Sequence, residues 1–125
     1  MKRKTDFEAI GGAEALRSII AEFIDRVSKD MVIGFFFEGK DLERIADREF
    51  QLAAERLGGP VRYEGRPIGS VHRPYGINRG HLRRRLAILR FVLNERGVDA
   101  AVSERWLAHE RGLEAAITNA RECVE

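Results

Sequence analysis

Cysteine is nearly absent from this chain of 125 residues. The single one, Cys123, has no partner for an internal disulfide, so the fold is expected to stand without cross-links. A reducing cytoplasm fits that usage. Proline is scarce, with 3 residues, and aromatics make up only 8%. An excess of one charge is also lacking, since 22 Lys and Arg face 20 Asp and Glu for a net charge of +2. That balance argues against a general pull toward nucleic acid or a membrane surface. No apolar run approaches the roughly 20 residues of a membrane span. The basic start, Met1 to Thr5, is not followed by the apolar core of a signal peptide. What remains is an ordinary folded composition, 44% hydrophobic and 34% charged. One domain over residues 1–125 is expected, with 1–6 a loose tail.

Helical periodicity organises the chain. Leu16, Ile19, Ile20, Phe23, Ile24 and Val27 recur at three- and four-residue steps, as one face of a helix requires. Gly11 and Gly12 mark a break before it. Met31 to Phe37 is apolar but short, and Gly34 weakens a helix there, so a short helix or turn ending at Gly39 is expected. A helix over about residues 41–57 follows, capped by Asp41 and stopped by Gly58-Gly59-Pro60. Val61 to Ile77 has little period and is punctuated by Gly65, Pro67, Gly69, Pro74 and Gly76. Such irregular segments in small domains usually carry function or mobility. Helices over about 79–96 and 100–122 complete the chain, with Gly97 between them. The expected class is all-α, a bundle or a globin-like fold.

His72 is the most informative of the 3 histidines. It lies in the irregular segment with Ile68, Val71 and Ile77 as apolar neighbours. A neutral imidazole against an apolar slot can ligate a heme iron, while a loop histidine can equally well bond to backbone. His109 falls near the inward face of the last helix, as a second ligand or as a core histidine beside Trp106. His81 starts a helix whose surface carries Arg79, Arg83, Arg84 and Arg90. That arginine cluster lacks interleaved aromatics, which argues against nucleic-acid binding. The sequence contains no recognisable serine–histidine–acid order, Cys–His metal cluster or phosphate-binding glycine loop.

A set of motifs in order resembles the truncated hemoglobins. They are Phe7-x-x-Ile10-Gly11-Gly12, Phe23-Ile24-Asp25-Arg26-Val27, Phe36-Phe37, Leu57-Gly58-Gly59-Pro60, Tyr63-x-Gly65-x-Pro67, Val71-His72, Gly76-Ile77 and His81-Leu82. The pattern is most similar to the first group of that family and covers about Phe7 to Ala116. The resemblance implies a globin-like, two-over-two helical sandwich around heme b. It implies that His72 is the proximal iron ligand and that Phe37 packs on the heme. Leu42, Ile45, Ile68, Val71 and Ile77 would line the pocket. Arg44, Arg48, Arg73 or Tyr75 would meet the heme carboxylates at the rim, where an arginine on a solvated helix face is the alternative.

The chain departs from the family pattern on the distal side. The family usually carries a tyrosine where Ile24 stands, a glutamine at Glu49, and apolar residues at Arg85 and Glu110. Glu49 and Arg85 both fall within apolar stripes, and buried charge is costly unless paired. The expectation is an ion pair over the distal face, with Glu110 a possible third member. Snorkelling of both side chains to water is the alternative. An arginine N–H could then replace the missing hydroxyl as donor to a bound ligand.

The implied function is binding of a diatomic gas, oxygen or nitric oxide, by a monomer or homodimer served by a reductase. Nitric oxide oxidation or a peroxidase-like reaction would come from the heme. The alternative is a heme-free globin-fold interaction or regulatory module.

Overall fold

The computed structural model describes residues 4–65 and 77–113, and these form five α-helices and one 3-10 turn. The helices are α1 (Asp6–Ile10), α2 (Gly12–Ser28), α3 (Leu42–Arg56), α4 (Arg79–Glu95) and α5 (Ala100–Gly112), with the 3-10 turn at Gly34–Phe37 between α2 and α3. No strand occurs among the described residues.

Capping sets the helix starts where the polar residues suggested. Asp41 accepts from the Arg44 amide at 3.2 Å, and Asp99 from the Ala101 and Val102 amides at 3.1 and 3.3 Å. Each bond satisfies a first-turn donor that has no partner inside the helix. Asn78 accepts from the His81 amide at 2.9 Å while His81 Nδ1 accepts from the Asn78 amide at 3.1 Å. Thr5 and Glu8 form a reciprocal box at the start of α1. Asp6 also accepts two hydrogen bonds from Arg105, each 2.8 Å.

The core lies along α2. Leu16, Ile19, Ile20, Phe23, Ile24 and Val27 are all buried, so the expected stripe is the packed one. They meet Phe50, Ala53, Ala54 and Leu57 of α3, Ile88, Leu89, Val92 and Leu93 of α4, and Trp106 and Leu107 of α5. Helices α2 and α3 pack together, as do α4 and α5, and the pairs join mainly through α2 on α4. That is a two-over-two sandwich. Two glycines make close approach possible. Gly11 turns between α1 and α2 at φ 118°. A Cβ on Gly59 would stand 2.6 Å from the Phe7 ring, and the Phe7 amide donates to Leu57 O at 2.9 Å beside it.

The corner at Met31 to Phe37 differs from a uniformly apolar helix. Ile33 and Gly34 are buried, while Met31 is 99% exposed and Val32 and Phe35 also face solvent. Within the 3-10 turn itself only Phe35 faces out, with Phe36 and Phe37 half-buried behind it. Asp30 closes this corner, accepting from the Val32 and Ile33 amides at 3.0 and 3.2 Å and from Arg84 Nη2 at 2.6 Å. The Arg84 hydrogen bond acts first, against the cost of burial and with help from the two amides, and holds the Asp30 carboxyl below its ordinary range. A lowered carboxylate pKa contributes stability that is present above the unfolded value and lost as the pH falls through the folded one. Asp30→Asn is expected to lower the melting temperature at neutral pH. Its difference from wild type should shrink once the pH drops below about 4, as thermal denaturation over an acid series will show.

Candidate functional site

Helices α3 and α4 both lie on α2 but make no extended contact with each other. Their facing halves are only partly covered. Ile45 and Ala46 on α3, Leu86 on α4, and Phe36 and Phe37 from the 3-10 turn are half-buried and packed against the core. Leu82 and Ile77 are also half-buried, and Leu42 is exposed. A set of large apolar side chains left half-covered along two separated helices is an unfinished apolar wall.

One turn further along each helix the wall becomes charged. Glu49 follows Ile45 on α3, and Arg85 follows Leu82 on α4. Their side chains meet, with Arg85 Nη2 donating to Glu49 Oε2 at 2.9 Å. Glu110 of α5 completes the cluster, accepting from Arg85 Nε at 3.1 Å and from Nη2 at 3.2 Å. The exposures of Arg85, Glu49 and Glu110 are 17%, 17% and 11%, so neither charge snorkels to water. The guanidinium carbon lies 4.9 Å from the Phe23 ring centroid, so α2 supplies an aromatic face beneath it. Burial works against the arginine charge, but the Glu110 and Glu49 carboxylates outweigh it and raise the Arg85 pKa above its ordinary value. Ile24, next to Phe23, is buried in the core and adds no polar atom.

The remaining residues suggested by sequence divide into three sets. Phe37, Ile45 and Ile77 join the partly covered wall, whereas Leu42 stays at its exposed edge. Arg44 is exposed near the start of α3, and half-buried Arg48 donates to Gln51 Oε1 at 3.1 Å. Ile68, Val71, His72, Arg73 and Tyr75 lie outside the described residues. The two other histidines differ from expectation. His109 is exposed rather than inward, because the buried stripe of α5 runs through Val102, Ser103, Trp106 and Leu107 to Glu110. His81 is not on a solvated face. It stacks edge-on against Phe36 at 4.9 Å between ring centroids.

Sequence reasoning missed two anchors for the segment that carries His72. Glu55 Oε2 accepts from the Tyr63 amide at 2.8 Å, and Gln51 Oε1 accepts from the Glu64 amide at 2.9 Å. Gln51 Nε2 also donates to Asp47 at 3.2 Å. The spacing of 47, 51 and 55 along one helix face was the available signal. With the Asn78 cap at the other end, both flanks of the segment are held.

A helical sandwich of this topology, with an open apolar wall between two of its helices, is the architecture of a globin. Residues 5–119 match the family model for bacterial-like globins, and the chain belongs to that family. Its relatives are group 1 truncated hemoglobins. It is 36% identical over 75 residues to one from Mycolicibacterium paratuberculosis, covering 60% of this chain and 55% of that protein. It is 27% identical over 104 residues to one from Tetrahymena pyriformis, covering 82% of this chain and 86% of that protein. The backbone is similar to the 2/2 hemoglobin of Synechococcus, solved with covalently attached heme, with a TM-score of 0.87 over 93% of this chain and 99% of that one, at 20% identity.

The ion cluster makes a stability prediction of its own. Arg85→Met leaves two carboxylates facing each other with little water. It is expected to cost about 3–5 kcal/mol, the usual penalty for removing one partner of a buried ion pair, as read by urea denaturation.

Proposed function

We propose that this chain binds heme b between α3 and α4, with His72 as the proximal iron ligand, and presents a diatomic gas to an atypical, charged distal side. The observation that carries this reading is the half-covered apolar wall of Phe37 from the 3-10 turn, Ile45 and Ala46 on α3, and Leu82 and Leu86 on α4, two helices without extended contact. A flat apolar disc is the kind of group such a wall fits. Its burial would stabilise the fold at roughly 25 cal/mol per Å2 of apolar surface removed from water. Arg44 and Arg48 on α3, with Arg73 and Tyr75 from the segment around His72, would meet the two carboxylates of the disc.

When bound, the heme iron supplies a coordination position for oxygen or nitric oxide and any associated oxidation or peroxidase-like turnover. The chain's own residues do the rest. His72 would ligate the iron as a neutral imidazole, with Ile68, Val71 and Ile77 as its apolar neighbours along the chain. Ile24 keeps the far side free of a hydroxyl. The guanidinium of Arg85 is the donor nearest in kind to the missing one, and its Nη1 is held by neither Glu49 nor Glu110. A reducing compartment and a reductase would suit such a protein.

The ion cluster also favours a second reading, in which the globin fold is kept without heme as an interaction or regulatory module. Glu49, Arg85 and Glu110 already tie α3, α4 and α5 together from within. Hemin titration of purified apoprotein separates the two. The wild type is expected to develop a Soret band at one equivalent, and His72→Ala to lose that band or shift it strongly. A wild type with no Soret band, or an unchanged spectrum in His72→Ala, would contradict the first reading.

A further inference from the structure

We infer that the Glu49–Arg85–Glu110 cluster makes the ligand space selective for neutral gases against anions. The inference rests on the heme reading above and deepens it. The cluster sets two carboxylates against one guanidinium, so its formal charge is −1. Charge this far from solvent is poorly screened by salt, and its field reaches across the adjoining space.

Position puts that field where a ligand would sit. Glu49 shares a face of α3 with Ile45 and Ala46, and Arg85 shares a face of α4 with Leu82 and Leu86. The charged end and the apolar wall therefore border one space. An unpaired arginine there would attract anions, but Arg85 is not unpaired. Its Nε and Nη2 are spent on the two carboxylates, and its face rests on Phe23. Swinging toward an anion would leave two carboxylates buried without a counter-charge. The guanidinium is thus a fixed donor with a carboxylate on either side. It can hydrogen-bond a neutral diatomic molecule, while the cluster as a whole repels azide or a similar anion. Of the neighbouring cations, Arg17 is paired with Asp47 at 3.3 Å, and Arg48 donates to Gln51 Oε1 at 3.1 Å rather than to either carboxylate of the cluster.

A charge series tests this. Wild type carries −1 at the cluster, Glu110→Gln and Glu49→Gln each carry 0, and Arg85→Gln carries −2. The hemin-reconstituted proteins are titrated with azide in the ferric state and with carbon monoxide in the ferrous state. Each step toward positive charge is expected to tighten azide binding about tenfold, the effect of one unit charge across about 10 Å at an effective dielectric near about 20. Carbon monoxide affinity should change by less than about twofold, since it carries no charge to couple to the field. The iron midpoint potential should rise with the same step by about 59 mV, the one-electron equivalent of tenfold. The two single Glu→Gln variants keep the arginine paired, so the test stands even if Arg85→Gln fails to fold. Azide affinity that is unchanged or weaker in both Glu→Gln variants overturns the inference. So does a parallel shift of azide and carbon monoxide, which is what a purely structural role would cause. A wild type with no Soret band overturns the heme reading and this inference together, whereas a normal Soret band with a flat azide series overturns this one alone.

Discussion

One guanidinium joins three helices at the centre of this protein. Arg85 bonds Glu49 on α3 and Glu110 on α5 from its own position on α4, and it lies against Phe23 on α2. Elsewhere in the core these helices meet through Leu, Ile, Val and Phe. Here they meet through charge, in a place with little water. An apolar trio of similar volume would be at least as stable in most proteins. The cluster therefore adds little net stability, and its consequence is geometric. It fixes where three helices stand and what field they present to the space beside them.

The way α2 is used sets the relation of α3 to α4. Its single apolar face receives both α3 and α4, and the two receiving helices make no extended contact with each other. Their deeper halves are sealed by Phe50, Ala54, Leu89 and Leu93, and their outer halves carry the half-covered wall. The segment between them starts and ends on fixed points. Gln51 and Glu55 hold the backbone at Tyr63 and Glu64, and Asn78 caps the start of α4. The chain's membership of the bacterial-like globins and its half-covered apolar side chains are the two grounds for the heme reading.

Much of this was legible from the residue order. The apolar steps of Leu16 to Val27 named the central helix, and Asp41, Gly11 and Gly58-Gly59-Pro60 named its neighbours' ends, because caps and breaks are local chemistry. The meeting of Glu49 and Arg85 could be anticipated because each charge interrupts an apolar stripe, and burial demands a partner. What escaped depended on small rotations or on distant partners. His109 is one position off the buried stripe of α5, and a helix turned by a fraction of a residue decides between core and solvent. Phe35 is exposed between half-buried Phe36 and buried Gly34 because a 3-10 turn has a different period from an α-helix. The spacing of Asp47, Gln51 and Glu55 marks a polar helix face, but nothing local says that this face grips the backbone at Tyr63 and Glu64. The pairing of Asp6 with Arg105 spans nearly the whole chain and has no local signal at all.

The central claim is that the gap between α3 and α4 holds a heme. The most direct measurement is the heme content of protein purified from cells supplied with the heme precursor, by alkaline pyridine hemochrome spectroscopy against protein concentration. One heme b per chain is expected. Protein that folds with its helical circular dichroism intact and carries no heme would contradict it.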